Sequence, residues 1–229
     1  ISLGLVGSEM CIRDRVESNR WTLIADSIEL SLQDPFYTRI DGQVILGGVE
    51  VVFLEDGTAN WRTVFYHLAT LSEAKKIFEG PWGMKDLRLK QLSSGEILVL
   101  TRPQGTKGGR GKIGATIVHT LSDLTIETIT EAPLLSDQFC ESEWGGGNEI
   151  HEIDGDIWVL GHIANFDDQG NRHYYAMVFC LERNQFAMTQ AKIIAERNDF
   201  QQGPMKRPDL EDVVFSGCLL YTSDAADEL

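Results

Sequence analysis

The chain has few cysteines, no long apolar run, a deficit of basic residues and no sustained helical periodicity, and each shortage closes off a class of protein. Four cysteines in 229 residues, without zinc-type spacing, make neither a disulfide framework nor a metal centre and point to a reducing compartment, the cytoplasm. No apolar run approaches the ~20 residues needed to span a bilayer, so no membrane partner is expected. Lys and Arg total 20 against 35 Asp and Glu, a formal charge of −15, which argues against a nucleic-acid partner because such binding rests on cation–phosphate contacts. No long stretch carries an amphipathic helical pattern, which leaves an all-β reading.

The two ends are set aside before the fold is read. Leu5–Arg15 and Cys218–Glu228 resemble translated sequencing-adapter DNA. If Met10–Asp14 is coded ATG TGT ATA AGA GAC, the opposite strand, shifted in frame, reads TGT CTC TTA TAC ACA TCT, which is Cys218–Ser223. Residues 1–15 and 218–229 are therefore expected to be foreign, and 16–217 to be a fragment of one domain, with a native N-terminus outside it that leaves secretion open. Without the ends the formal charge is about −12, still acidic.

What is present is a repeat. Gln33-Asp34-Pro35, Lys85-Asp86-Leu87, Asn148-Glu149-Ile150 and Glu211-Asp212-Val213 each open a unit, their acids 52, 63 and 63 residues apart. After the first three come a short strand, a turn (Asp41-Gly42, Ser94-Gly95 or Asp154-Gly155) and an aliphatic run (Val44–Leu46, Ile97–Leu100 or Ile157–Leu160). Asp-Gly between two such runs is a hairpin signal. A third strand follows in each unit, and a fourth ends near Phe78, Ile129 or Ile194. Four-stranded units at this period predict a β-propeller, with a β-sandwich as the alternative. About three blades are complete, a fourth begins at Glu211, and Trp21–Leu32 is the remnant of another.

In a propeller the residues that open each inner strand converge at one mouth, so Asp34, Asp86, Glu149 and Asp212 are candidates for a shared site. Clustered carboxylates separate into acid and base, as glycosidic hydrolysis requires; inverting enzymes hold the pair roughly 6.5 to 9.5 Å apart. The alternative is that each acid only ties down blade backbone. Arg102, Lys107, Arg110 and Lys112 lie in a glycine-rich loop able to wrap phosphate, although Ile113 and a following strand rule out a Walker loop. Trp82 and Trp144 precede Asp86 and Glu149, where an indole could stack on a sugar, whereas Trp158 reads as core. His151, His162 and His173 show no zinc spacing, and Asp167–Asn171 reads as a hairpin turn rather than a calcium loop.

Leu32-Gln-Asp-Pro-Phe, Val44-Ile-Leu-Gly-Gly-Val-Glu50, Trp61-Arg-Thr-Val-Phe-Tyr66, Gly80-Pro-Trp-Gly-Met-Lys-Asp86, Thr101-Arg-Pro-Gln-Gly105, Gly109-Arg-Gly-Lys-Ile-Gly114, Trp144-Gly-Gly-Gly-Asn-Glu149 and Lys206-Arg-Pro-Asp-Leu-Glu-Asp212 together resemble an uncharacterised bacterial domain family. That family is similar to the five-bladed propeller glycosidases, namely the arabinanase and β-fructosidase relatives, and to the β-mannoside phosphorylases. The resemblance implies a five-bladed propeller, truncated here. On the arabinanase pattern it implies an inverting glycoside hydrolase for a bacterial or plant-derived oligosaccharide, with Asp34 as base, Glu149 as acid and Asp86 tuning. On the phosphorylase pattern, Lys85-Asp86-Leu87-Arg88 resembles a Glu-Asp-Pro-Arg motif that supplies the acid and a phosphate-binding arginine, with Lys for Glu and Leu for Pro. A non-catalytic sugar-binding or interaction propeller is the third reading. Substrate contacts are expected from Trp82, Arg88, Arg102, Arg110, Lys112, Trp144, Asn148, His151 and Asp212. The expected partners are a carbohydrate and, for a phosphorylase, inorganic phosphate; no metal and no cofactor is expected.

Overall fold

The computed structural model describes residues 26–203 and 207–217, together with the strand backbone at 10–11, 13–17 and 20–23. The C-terminal segment read as foreign and Lys206 lie outside the described residues, as do the side chains of the N-terminal one. The chain divides into two compact units, Ile1–Leu134 and Leu135–Leu229. Both are built from antiparallel sheets with few helical turns, so the fold is all-β.

In the first unit, β1 (Met10–Cys11) pairs with β4 (Glu29–Leu30), and β2 (Arg13–Glu17) with β3 (Arg20–Leu23), as small ribbons. A four-stranded sheet follows in the order β5 (Gln33–Ile40), β6 (Gln43–Phe53), β7 (Ala59–Thr70), β8 (Glu73–Glu79). The second sheet holds β9 (Arg88–Gln91), β10 (Ile97–Thr101) and β11 (Gly114–Val118). The second unit carries β12 (Trp144–Ile153), β13 (Asp156–Phe166), β14 (Arg172–Glu182) and β15 (Ala187–Ala195), again in sequential order.

The turns follow their chemistry. Asp41-Gly42 and Asp154-Gly155 both have positive φ at each residue, the mirror-image turn that matches strand twist, and they close two-residue hairpins. Asp41 is also tied to the neighbouring sheet: its N–H donates to Gln91 Oε1 at 2.8 Å, and Gln91 Nε2 donates to Asp41 Oδ1 at 2.6 Å. The Ile97–Leu100 run is buried on both faces, as a continuous aliphatic strand requires. Between the two sheets of this unit, Ile40, Ile45, Phe65, Leu87, Leu89, Ile97, Val99 and Ile129 form one apolar core. Phe65 meets Phe36 edge-on at 5.9 Å and stacks on Phe78 at 5.6 Å.

Two expectations are corrected. The strand expected to end near Ile129 is a helical turn, α2 (Ile126–Glu131). Thr125-Ile-Glu-Thr-Ile-Thr-Glu alternates like a strand, but the Thr125 side chain accepts from the Thr128 N–H at 3.0 Å, and a 3-10 turn at Leu121–Asp123 with its own capping box precedes it. The helix then buries Ile129 and leaves Ile126 exposed. The second correction concerns Asp212, which opens no strand of its own among the described residues. Its segment joins the edge of β14 instead, through Tyr174 N–H to Asp212 O at 3.0 Å and Val214 N–H to Tyr174 O at 3.1 Å. Two smaller outcomes stand beside these: Trp158 is half-buried rather than core, and Asp167–Asn171 is the hairpin turn between β13 and β14. No helix among the described residues is long and apolar enough to cross a membrane.

Replacing Phe65 by Ala removes a fully buried ring between two aromatic neighbours and is expected to cost about 3–5 kcal/mol in urea denaturation. Tyr37→Ala, at a ring that is 70 % exposed, is expected to stay within about 0.5 kcal/mol.

Candidate functional site

The chemistry-bearing side chains of the first unit gather where β5 and β9 begin. Asp34 and Asp86 both sit in left-handed backbone, at φ 46° and 61°, a region Asp tolerates better than most residues but not without strain. Asp34 lies in a bulge of β5, where the register shifts between Gln33 and Phe36, and is exposed. Asp86, two residues before β9, is 2 % exposed, and its Oδ2 accepts from Arg102 Nη1 at 3.0 Å. Arg88 is 4 % exposed, and its guanidinium lies over the Phe36 ring at 4.2 Å. Gly47 makes room for that ring: a Cβ there would stand 2.2 Å from Phe36 Cζ.

Burial pushes the Arg88 guanidinium down from its ordinary value, Asp86 and Asp34 pull it back up, and Arg102 adds to the lowering. It remains a cation, as arginine does in proteins. Among the described buried side chains of this unit, two guanidiniums therefore stand with one carboxylate, Asp86. Asp34, exposed at the surface, is a second carboxylate acting on Arg88.

The glycine-rich loop closes over Arg102. Its residues Gly105–Gly108 form one helical turn, α1, and Gly105, Gly109 and Gly111 take positive φ. A Cβ on Gly111 would lie 2.6 Å from the Arg102 guanidinium, so only glycine lets the loop rest on it. The Arg110 carbonyl accepts from Gln104 Nε2 at 2.9 Å, while the Arg110 side chain is exposed; Lys112 is half-buried. Lys107 does not face this site. It donates to the carbonyls of Thr130 and Ala132 at the end of α2, both at 2.6 Å. Trp82 is 48 % exposed, with one face over the Arg62 guanidinium at 4.4 Å. Arg62 in turn holds Glu50 and Glu79.

The remaining candidates belong to the second unit. Glu149 follows a bulge in β12, and its Oε2 lies 3.1 Å from His151 Nε2 on the same face of the strand. It lacks the positive φ of Asp34 and Asp86, so the third acid of the repeat does not share their backbone geometry. Asn148, the bulged residue, is buried and joins two segments: its Nδ2 donates to Ser216 O at 2.6 Å, and its Oδ1 meets His162 Nδ1 at 3.0 Å. Trp144 is 4 % exposed, packed on Phe166 and edge-on to Tyr174, with Nε1 donating to the Tyr174 hydroxyl, which makes it a support of its own sheet rather than an open sugar platform. Asp212 bonds His173 Nδ1, and Asp167 faces the other ring nitrogen at 3.4 Å. Asp167 is held down to about 2, first by the Asn171 side chain. A concavity of about 850 Å³ adjoins this pair, lined by His173, Arg197, Phe200, Asp212 and Phe215 among others. Exposed loop segments make up much of its wall, and it holds no buried charge, so the chemistry points to the first unit instead.

Lys107 and Gly111 show what residue type alone conceals: a lysine in a basic loop reads as a ligand group until its carbonyl partners are seen. Asn148 is found by its bulge, which a run of three glycines before it already hints at.

The model of the family described as "Protein of unknown function (DUF1861)" matches residues 5–229. No relative was found among the curated proteins. Among solved structures the chain is similar to a mannose phosphorylase from Leishmania mexicana in complex with phosphate ion, with a TM-score of 0.86 and 28 % identity over 96 % of this chain and 69 % of that one. It is also similar to a hypothetical protein from Leishmania major, with a TM-score of 0.80 and 28 % identity over 94 % and 68 %. A GDP-Man-dependent mannosyltransferase from Leishmania mexicana gives a TM-score of 0.79 and 26 % identity over 91 % and 66 %. The chain thus spans about two thirds of the length of each.

Two outcomes are expected from this geometry. Arg102→Met removes the ion-pair partner of the buried Asp86 and should cost about 3–5 kcal/mol in chemical denaturation. The His173 pKa is raised, chiefly by its hydrogen bond to Asp212 and against burial, so the contact stabilises most fully below the unfolded value near 6.5 and is lost as pH rises through the raised folded value. Amide exchange in 207–217 should therefore quicken across that window, and His173→Gln should flatten the change.

Proposed function

This chain belongs to the family described as "Protein of unknown function (DUF1861)", and on that premise we propose that it is a carbohydrate-active protein of the glycoside phosphorylase type, cleaving a mannoside with inorganic phosphate. The observation that carries the reading is the pair of buried guanidiniums, Arg88 and Arg102, beside the single buried carboxylate Asp86. Planar guanidiniums match phosphate oxygens two at a time, and a dianion offsets their charge where water cannot. The similarity to a mannose phosphorylase in complex with phosphate ion, and to a mannosyltransferase, supports a sugar as the other substrate.

In this reading Arg88 and Arg102 hold phosphate. A phosphate oxygen attacks the anomeric carbon, the glycosidic C–O bond breaks, and the leaving oxygen takes a proton from Asp86, yielding a sugar 1-phosphate and a shortened glycan. A dianion beside Asp86 favours its protonated form, so phosphate binding and proton delivery are coupled. Asp34, close enough to act on Arg88, orients the guanidinium. The same reading takes the sheets as blades of a five-bladed propeller, with residues 16–217 forming part of the ring. Hydrolysis, with Asp34 as base and Glu149 as acid, stands second because no anion needs two buried arginines for attack by water.

The test is incubation of the protein with manno-oligosaccharides with and without phosphate, followed by phosphorus NMR. Sugar 1-phosphate formed only with phosphate is the expected result, whereas free sugar released equally in both arms assigns hydrolysis. Arg88→Lys, which loses the two-pronged geometry but keeps the charge, should raise the KM for phosphate about 10-fold or more, since hydrogen bonds to charged groups contribute about 1.5–3 kcal/mol.

A further inference from the structure

The loop between β10 and β11 has a composition that resists order. Gly105, Gly108, Gly109 and Gly111 supply no side chains to pack, and glycine loses more conformational freedom on folding than any other residue. The loop nevertheless adopts one closed form. Gly105 and Gly109 exchange backbone hydrogen bonds at 2.8 Å, Gly111 N–H donates to Gly108 O at 2.9 Å, and Lys112 N–H donates to Pro103 O at 3.3 Å. Gly108 lies so close to Pro103 that a Cβ would stand 1.9 Å from its carbonyl oxygen. These contacts shape the loop internally, but they do not hold its tip against the rest of the unit.

Lys107 does hold it. Its ammonium reaches 23 and 25 residues along the chain to Thr130 O and Ala132 O, both at 2.6 Å. Those carbonyls end α2, where no intrahelical donor is left for them and where a cation is favoured. A β-strand in the place of α2, as the other two sheets have, would spend its carbonyls on a neighbouring strand. The helix leaves two of them convergent and open to a lysine.

We propose that Lys107 is a positioning residue: it latches the glycine loop to the end of α2 and so keeps Gly111 and the Arg110 carbonyl seated on Arg102, holding that guanidinium in its anion-binding orientation. The Arg102 side chain has the loop on one side, with Gly111 against it and the Arg110 carbonyl 3.5 Å from Nη2, and Asp86 on the other. If the tip lifts, Arg102 loses the first of these walls while keeping the second. The effect then falls on anion affinity rather than on the stability of the sheet. This inference rests on the reading of the arginine pair as a phosphate site, although the latch itself does not.

The test compares the wild-type chain with Lys107→Met and Lys107→Arg. Amide hydrogen exchange reads the latch, and calorimetric titration with inorganic phosphate reads the site. In Lys107→Met, amides of residues 104–111 should exchange about 10-fold faster while those of β10 keep their protection, and phosphate affinity should fall about 5- to 10-fold; Lys107→Arg should recover most of both. Unchanged exchange in Lys107→Met overturns the latch. Faster exchange with unchanged phosphate affinity overturns its positioning role. A wild-type protein that binds no phosphate refutes the phosphate reading and the positioning role with it, while the exchange comparison still decides whether Lys107 orders the loop.

Discussion

The ion pair between Arg102 and Asp86 is the contact on which the rest of the first unit's chemistry depends. Both groups are almost fully withdrawn from water, and burying charge is tolerable only where the partner is held in good geometry. That geometry is assembled from elements far apart in the chain. Asp86 is presented by a left-handed backbone position ahead of β9, Arg102 by the end of β10, and the glycine loop covers the guanidinium because Gly111 has no side chain to keep it away. Arg88 brings a second cation into the same space, cushioned by the Phe36 ring that Gly47 admits. Under the proposed function, these two guanidiniums are the groups that receive the phosphate.

The second unit spends its polar residues differently. Asn148, His162 and Ser216 form a buried hydrogen-bonded set that pins 214–217 to the sheet, and Asp212 with His173 pins the preceding turn. Polar groups hydrogen-bonded in this way specify one arrangement of the segment they hold. Asn148 and Asp212 thus have an evident structural use.

Much of the fold was legible because its signals are local. The Asp41-Gly42 and Asp154-Gly155 turns, the aliphatic run Ile97–Leu100 and the alternation of Glu73–Glu79 each report a backbone preference or a two-faced burial that a short window contains. The segment Thr125–Glu131 misled for the same reason. Its alternation of Ile and Thr with Glu suits a strand, and two successive capping interactions outweigh it, because a cap satisfies donors that a strand would need a neighbour to satisfy.

By itself the sequence determined the all-β class, the hairpin units and the recurrence of an acid at the head of each, since periodicity, turn chemistry and spacing are properties of the chain alone. Tertiary structure decided which of those acids are alike. Asp34 and Asp86 share a backbone conformation that Glu149 does not, and Asp212 is drawn into the edge of β14. It also decided that Arg88 and Arg102 are buried together and that Lys107 points away from them to the end of α2. Burial and charge balance arise from residues brought together over tens of positions, and no local pattern encodes which cation will meet a carboxylate and which a carbonyl.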